Sequence, residues 1–491
     1  MIHTSTRAWL LCLGLGLSLA MPSAANSQEF IRGDVDGNGY LSVIDALEGL
    51  EYLFLSRPVT CEAATDTNDD GTPNILDPLE TLTYLFLGGE PPAAPFPSCG
   101  PDPTIDLSCE QESPACGLAG PVDGLTISEI QSFNRGRDLM LKRFKPSEGL
   151  GPLYNTTSCA ACHDKPTTGG SAPTYRNFYL AQIGAPGSGQ DDPPGLPSAV
   201  IPSFNGLDGE RPLIPEAPFG PGAEPVRVSQ RNAPPFFGTG LFELISDATI
   251  IANADPNDSD DDGISGRYNT DGEGNVGRFG YKLQANFIEA FIRGAALNQM
   301  GITTDAVEGA DGIVSLALAQ VAVSFDLPTT DDDGIPDPEM SVADLEDIVN
   351  FCKFVRPPRK KEFSADAEAG ETLFEDIGCT SCHIPSLASS GGDVEAYTDL
   401  LLHDMGPDLA DSIHMGVPQF SIFEGLTTEN EFRTQPLWGA SEHAPFLHDG
   451  RADTLATAIE MHGGEAEDAR DAYLDLTDEE KNQLIEFLEA L

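Results

Sequence analysis

The feature that most constrains this 491-residue chain is a short cysteine–histidine motif that occurs twice. The first motif reads Cys159-Ala160-Ala161-Cys162-His163, and the second reads Cys379-Thr380-Ser381-Cys382-His383. Two cysteines three positions apart, followed directly by histidine, are the attachment signature of c-type haem. Each thiol adds to one vinyl group of the porphyrin, and the adjacent imidazole becomes the proximal ligand of the iron.

A redox dithiol and half of a zinc site are the other interpretations of two cysteines at this spacing. A dithiol does not require histidine in both copies, and a zinc site does not account for two complete motifs. We therefore predict two covalently bound c-type haems. The predicted attachment residues are Cys159, Cys162, Cys379 and Cys382, and the predicted proximal iron ligands are His163 and His383.

The first 25 residues have the pattern of a secretory signal peptide. Arg7 precedes an apolar run over residues 8–20, and small residues follow at the expected cleavage position. No later run is long enough to span a membrane. We expect an exported protein, periplasmic or extracellular, which is where haem is attached covalently.

Acidic residues outnumber basic residues by 79 to 26, so the formal net charge is −53. This charge excludes nucleic acid and anionic lipid surfaces as partners. Four further cysteines predict two disulfides in an oxidising compartment, with three pairings open: Cys61, Cys99, Cys109 and Cys116. Cys352 lies in an apolar run and is expected to be a buried free thiol.

Residues 30–100 contain a repeat of two acidic loops, each followed by an amphipathic helix that ends in Tyr-Leu-Phe-Leu. Oxygen-bearing side chains follow the ligand order of an EF-hand-type calcium loop, with glycine at the sixth position. An acidic turn without metal is the alternative, but the matching register of two loops favours calcium. The candidate ligands are Asp34, Asp36, Asn38, Tyr40, Ser42 and Asp45, and in the second loop Asp66, Asn68, Asp70, Thr72, Asn74 and Asp77. The paired arrangement resembles a dockerin module, which implies a docking protein as partner.

Composition and motif spacing divide the chain into five parts. They are a signal peptide (1–25), a dockerin-like calcium-binding repeat pair (30–100), a Pro/Cys-rich linker (101–124), an N-terminal haem domain (125–355) and a C-terminal haem domain (356–491). Before each motif runs a helix of the cytochrome c kind, with Gly136 or Gly370 placed to allow a close helix crossing. We expect a mainly α fold, with two cytochrome c-type haem domains, long loops and a small EF-hand-like module.

From residue 127 to the C-terminus the chain resembles the di-haem oxidoreductases, also called thiol oxidoreductases, which are related to bacterial di-haem cytochrome c peroxidases. The matching segments are 149–155, 231–235, 277–282, 300–303, 399–406, 436–439 and 447–452. In those peroxidases the C-terminal haem collects electrons, and the N-terminal haem opens a coordination site for hydrogen peroxide. Related peroxidases also hold calcium between their domains. A third acidic loop fits that position, with a plain acidic turn as the alternative: Asp258, Asp260 and Asp262.

The resemblance also suggests candidate catalytic and ligand residues. Gln299 stands at the position of the peroxidases' acid–base glutamate, and an amide cannot shuttle a proton. Glu289 could substitute, but we expect it to be a solvated helical charge. His448 belongs to the His-Asp-Gly segment and is a tentative catalytic residue. His462 falls at the offset where the relatives place the second axial ligand of the C-terminal haem; a histidine that merely ends a helix is the alternative.

The remaining histidines leave the far side of the N-terminal haem undecided, because none lies between residues 163 and 383. The second coordination position of its iron has three possible states. It is open, it is closed by Met300 or another non-histidine group, or it is reached by a residue from the other domain. His403 and Met405 either approach a haem or pack structurally. His414 and His443 have only loop context, which favours surface positions.

The sequence therefore favours an exported di-haem c-type oxidoreductase of the peroxidase-like kind. Electrons would pass from the C-terminal to the N-terminal haem, and a redox partner protein would supply or accept them. The alternative is an electron-transfer cytochrome with both irons closed and no catalysis of its own. An open iron, which binds cyanide or peroxide, distinguishes the two.

Overall fold

The computed structural model describes residues 28–37, 41–96, 99–100, 102–104, 107, 109, 116, 118–183, 200–205, 226–270, 275–304, 334–411 and 428–491. The predicted signal peptide, the candidate ligands Asn38 and Tyr40, and His414 lie outside these residues. Within the described ranges, no helix is long and apolar enough to cross a bilayer.

Helices predominate and the strands are short, which confirms the prediction of a mainly helical fold. In chain order the helices described are α1 (Val43–Leu55), α2 (Leu76–Leu87), α3 (Ile127–Leu141), α4 (Asp247–Ile251), α5 (Ile288–Met300), α6 (Val342–Phe354), α7 (Ala365–Asp376), α8 (Leu455–Glu460), α9 (Glu467–Asp475) and α10 (Asp478–Ala490). The strands are β1 (Leu153–Tyr154), β2 (Phe178–Ile183), β3 (Val200–Ile201), β4 (Phe204–Asn205), β5 (Val226–Arg231), β6 (Leu387–Ser389), β7 (Gly392–Val394), β8 (Leu402–Asp404) and β9 (Glu431–Arg433).

The two N-terminal helices, α1 and α2, follow the acidic loops and pack against each other. Ser42 caps α1 in a reciprocal capping box with Asp45, so these two candidate ligands also fix the start of the helix. Both helices leave large apolar side chains exposed, and each one on α1 has its counterpart 32 positions later on α2. These side chains are Val43, Ile44, Leu47, Phe54 and Leu55 on α1, and Ile75, Leu76, Leu79, Phe86 and Leu87 on α2.

Disulfides and a buried arginine join this N-terminal segment to the rest of the chain. The pairs are Cys61–Cys109 and Cys99–Cys116, one of the three pairings that the sequence left open. Arg356, which lies just after α6, donates to the carbonyls of Cys116 and Pro121. The linker is therefore anchored on the helical region that follows it.

A close crossing of α3 and α6 forms the centre of the first haem region, which comprises residues 125–355 and is predicted to hold one haem. Thr126 caps α3 through a capping box, so the local sequence sets where this helix begins. At the crossing, a Cβ on Gly136 would lie only 1.9 Å from the carbonyl oxygen of Asp347. Only glycine permits this approach, which confirms the predicted close crossing.

The second haem region, residues 356–491, contains the same kind of close helix crossing, here between α7 and α10. A Cβ on Gly370 would lie 2.1 Å from the carbonyl oxygen of Gln483. Phe487 is fully buried beside this crossing and packs against Phe374, with ring centroids 5.3 Å apart. Each haem motif therefore follows a helix held by a second helix through a glycine contact.

The β8–β9 ladder lies where the two haem regions meet. Its register places Leu402 opposite Arg433 and His403 opposite Phe432. Leu402 exchanges backbone hydrogen bonds of 2.9 and 2.7 Å with Arg267 of the first region. The ladder therefore holds parts of both regions in one hydrogen-bonded layer.

Candidate functional site

The cysteines of both motifs lie in tight turns, the second directly after α7 and the first after α3 and the short strand β1. None of the four is disulfide-bonded, and all are half-buried. Burial raises the pKa of Cys159 and of Cys379 to about 12. A redox dithiol needs a thiol with a lowered pKa, so these raised values disfavour the dithiol alternative.

The two motif histidines have the same hydrogen-bonding arrangement. The Nδ1 atom of His163 lies 3.1 Å from the carbonyl oxygen of Gly170, and that of His383 lies 2.9 Å from the carbonyl oxygen of Tyr397. A proton on Nδ1 then leaves the lone pair on Nε2, as in metal-bound histidines. Burial lowers the pKa of His163, and it lowers that of His383 to about 4, so both rings are neutral at pH 7.

His462 follows the same pattern at the end of α8. Its Nδ1 lies 2.7 Å from the carbonyl oxygen of Ala458, and burial lowers the pKa of the ring. Burial and, to a lesser degree, His462 lower the pKa of His383, so the two rings are within range of an electrostatic interaction. The neighbouring Met461 is 36% exposed, as expected for a side chain one position further round the helix.

His403 lies beside the second motif, with carboxylates on both ring nitrogens. Its Nδ1 is 3.6 Å from the Sγ of Cys382 and 2.8 Å from Glu465, and its Nε2 is 2.8 Å from Asp399. Burial opposes a charge here, but the hydrogen bonds to the two carboxylates outweigh it and raise the pKa of His403 well above its usual value. Neither nitrogen is left for iron, so His403 is a charged neighbour of the motif in this arrangement.

His448 is buried at the meeting of the two haem regions. Its ring stacks on Phe432 with centroids 4.3 Å apart, and the nearest carboxylate, that of Asp449, is 4.0 Å away. Burial and the charge of Arg231 lower the pKa of His448 to about 3, so the ring is neutral at pH 7. The carbonyl oxygen of His448 accepts from the backbone NH of Asn232 at 2.8 Å, which ties it to the first region.

Gln299 lies beside the segment that leads into the first motif. Its Oε1 accepts from Nδ2 of Asn155 at 2.9 Å, and its carbonyl oxygen accepts from the backbone NH groups of Asn155 and Thr156. The expectation that Glu289 is solvated is wrong. Glu289 is only 4% exposed and pairs with Arg293 on the same face of α5, because this helix face packs into the core.

The first acidic loop brings three carboxylates together. Oxygen atoms of Asp34, Asp36 and Asp45 all lie within 4.8 Å of one another. Burial and the charge of Asp36 raise the pKa of Asp45 to about 6. A cation at this point would relieve both effects, so the donor set fits calcium.

The second and third acidic loops differ in how deeply their candidate ligands are buried. In the second, Oδ1 of Asp77 is buried without a partner, and burial raises the pKa of this carboxyl. Such an orphaned oxygen is what a missing cation would leave behind. In the third, Asp258, Asp260 and Asp262 also lie within 4.8 Å, but Asp260 and Asp262 are exposed.

The family profile described as “Di-haem oxidoreductase, putative peroxidase” matches residues 223–491, more than half of the chain. The chain belongs to this di-haem oxidoreductase family. The match includes the second motif and the histidines after it, and it begins after the first motif. No curated protein matches the chain significantly.

Two solved structures of low similarity align with most of the chain. Hydrazine synthase of Kuenenia stuttgartiensis, solved under xenon pressure, is 15% identical over 76% of this chain and 94% of its own, with a TM-score of 0.32. A MauG-like protein associated with microbial copper homeostasis is 18% identical over 76% of this chain and 92% of its own, also with a TM-score of 0.32.

The residues of this di-haem oxidoreductase fit the cofactor that its family implies. Two pairs of thiols are outside disulfides, and each pair is followed by a neutral histidine with an accessible lone pair on Nε2. Ligand histidines must be neutral, and their second nitrogen normally donates to a carbonyl or carboxylate. His462 supplies a third ring of this kind near His383.

Sequence reasoning missed part of the surroundings of the site and misplaced one histidine. His443 is half-buried rather than on the surface, because its carbonyl accepts from Ser171 and its Nδ1 is buried without a partner. Cys352 is buried as predicted, and the nearby Cys159 thiol adds to the rise of its pKa. The buried cations Lys282 and Arg433 were not proposed; basic residues inside apolar segments of so acidic a chain are the signal that could have found them.

Proposed function

We propose that this di-haem oxidoreductase is an exported c-type redox enzyme in which electrons enter at the C-terminal haem and pass to the N-terminal haem. One observation carries the proposal. Two half-buried cysteine pairs are each followed by a neutral histidine whose Nδ1 contacts a backbone carbonyl, and His462 lies near His383. Export, periplasmic or extracellular, is proposed from the signal peptide and the covalent attachment motifs.

The chain's own residues have distinct roles in this proposal. Cys159 and Cys162, and likewise Cys379 and Cys382, would hold the two haems covalently, and the Nε2 atoms of His163 and His383 would bind the irons. Each haem, when bound, supplies one-electron chemistry, and an iron with an open position can also bind a small oxidant. His462 would close the second iron, which suits a haem that only collects electrons.

The N-terminal haem is proposed as the reactive one, with little peroxidase activity. Gln299 can position a polar substrate but cannot shuttle its proton, and its amide is already hydrogen-bonded to Asn155. His448 is neutral at pH 7 and makes no ring hydrogen bond to the described residues, so it is the tentative catalytic residue where the regions meet. With a pKa of about 3 its ring would act as a hydrogen-bonding group rather than as a base.

A spectrum of the purified holoprotein tests the proposal against its alternative. Cyanide or peroxide should change the absorption of one haem, because only an open iron binds them. If neither ligand changes either haem, both irons are closed and the protein is an electron-transfer cytochrome. Absence of covalent haem in protein produced with the haem-attachment machinery would refute both functions.

The N-terminal module is proposed to bind calcium and to dock a partner protein. The clustered carboxylates of the first loop and the orphaned Asp77 oxygen of the second support calcium. The two matching sets of exposed apolar side chains on α1 and α2 support docking, since large apolar patches mark interaction sites.

The third loop, around Asp258, is a weaker calcium candidate. A redox partner protein is proposed separately, and the net charge of −53 disfavours nucleic acid.

Chelation tests the calcium part of this proposal. Removing calcium from the full holoprotein should lower its first thermal transition, and adding calcium back should restore it, because a ligand that binds only the folded state stabilises it. An unchanged transition would refute calcium binding by the module.

A further inference from the structure

Arg433 is a buried guanidinium that has no carboxylate partner among the described residues. The residue is 7% exposed, its Nη1 donates to the carbonyl oxygen of Arg278 at 2.9 Å, and its Nη2 donates to Oε1 of Gln435 at 2.7 Å. Its Nε is buried and donates to none of the residues that the structure describes. Burial lowers the pKa of Arg433 to about 10, so the side chain still carries its charge at neutral pH.

Three other arginines in this part of the molecule differ in one respect, since each has an acidic partner. Arg231 pairs with Asp411, Arg278 pairs with Asp247 at 2.6 Å, and Arg267 pairs with Glu431. Although the chain has 79 acidic residues, none of those described forms an ion pair with Arg433. A buried charge without a partner costs several kcal/mol, so its missing anion should come from outside the polypeptide.

The position of Arg433 lies between the two haem regions. Its backbone NH donates to the carbonyl of Tyr281 at 2.8 Å, and the Tyr281 hydroxyl donates to the carbonyl of Asn232 in the first region. In the other direction, the NH of Thr434 donates to Leu401 at 3.0 Å, in the segment that begins with Tyr397. The carbonyl oxygen of Tyr397 is the hydrogen-bond partner of Nδ1 of His383.

We propose that Arg433 binds a propionate carboxylate of one of the two haems where the haem regions meet. The proposal rests on the haem cofactors of the proposed function. Each haem carries two propionates, and an arginine fork binds carboxylates through parallel N–H donors, of which the Nε–H is unused here. Because reduction adds one negative charge to the haem, this cation should also raise the reduction potential of the haem that it contacts.

The test is a redox titration of the holoprotein with Arg433→Gln, followed by the separate electron paramagnetic resonance signals of the two haems. At a fixed potential, the ratio of reduced to oxidised iron should fall about tenfold for one haem, equivalent to about 59 mV for one electron. Arg433→Lys, which keeps the charge, should retain most of that potential. Arg135→Gln is the charge control, because this half-exposed arginine already pairs with Asp347 and should leave both potentials unchanged.

Haem content, measured on the same samples, separates this inference from the proposed function. Two haems per chain with both potentials unchanged in Arg433→Gln would overturn the role of Arg433 alone, whereas wild-type protein without haem would overturn both. A wild-type potential that shifts with added acetate, and does not in Arg433→Gln, would assign the site to an exogenous anion and overturn the propionate. Should Arg433→Gln lose haem, a crystal structure of the wild-type holoprotein decides, because a guanidinium beyond hydrogen-bond distance of every propionate contradicts the proposal.

Discussion

At the scale of single residues, three histidines share one arrangement. His163, His383 and His462 each place Nδ1 against a backbone carbonyl, and burial lowers the pKa of each ring. A surface histidine would keep both nitrogens in water and titrate near neutrality. The shared arrangement makes all three neutral donors through Nε2, and only two of them belong to the haem motifs.

His462→Ala should convert one haem from low spin to high spin. The variant removes the Nε2 donor near His383, and Met461 cannot replace it because that side chain points elsewhere on the helix. Low-temperature electron paramagnetic resonance of the holoprotein measures the change. Met461→Ala is the control and should keep both wild-type signals; two unchanged signals in His462→Ala would show that His462 is not a ligand.

Gln299→Glu should raise the rate of peroxide turnover on the order of 100-fold, because a carboxylate restores general acid–base help. The substitution keeps an oxygen that can accept from Asn155, so the local structure should persist. Steady-state peroxidase assays measure the rate, with Gln299→Met as the control that cannot transfer a proton. An unchanged rate with an open, intact haem would contradict the role assigned to this position.

At the scale of elements, two helix pairs depend on the missing side chain of a glycine. Gly370→Ala would place a Cβ 2.1 Å from the Gln483 carbonyl, so α7 and α10 must separate. We expect a loss of about 1–3 kcal/mol in the free energy of unfolding. Gly294→Ala is the matched control, because its nearest neighbour would be 3.9 Å away on an α5 helix that alanine favours by about 0.5–1 kcal/mol. Equal effects of the two changes in thermal unfolding would contradict the close crossing.

Elements and motifs were predictable because they depend on neighbours within a few residues. The capping box at Thr126, the crossing glycines and the two haem motifs are all visible in short stretches. Contacts between distant segments were not predictable. Arg433 reaches the Arg278 carbonyl across 155 positions, and the burial of Glu289 and His443 depends on which segments pack over them. Local patterns assign such residues to the surface because they contain no information about the covering segment.

At the scale of the whole molecule, the excess of acid makes a bound cation important for stability at neutral pH. Burial and Asp36 raise the pKa of Asp45 to about 6, above its ordinary value of 3.8. Without calcium, the folded state therefore binds a proton more tightly than the unfolded state. The contribution of this group to stability is greatest below pH 4 and falls as the pH rises from about 4 to 6, by about 3 kcal/mol in all.

Calcium should remove this loss, so its stabilising effect on the full holoprotein should be small near pH 4 and complete above about pH 6. Thermal unfolding is measured at each pH in calcium and in chelator. The difference between the two removes the effect of acids that titrate but do not contact the ion. Asp45→Ala should reduce this pH-dependent difference, because it removes the first-loop carboxylate that competes for calcium and proton and leaves only the second loop to contribute. Glu48→Ala, which changes a neighbouring acid that pairs with Arg57 instead, should preserve it. A calcium effect of equal size at pH 4 and pH 7, or one that Asp45→Ala leaves unchanged, would mean that calcium does not bind at the first loop.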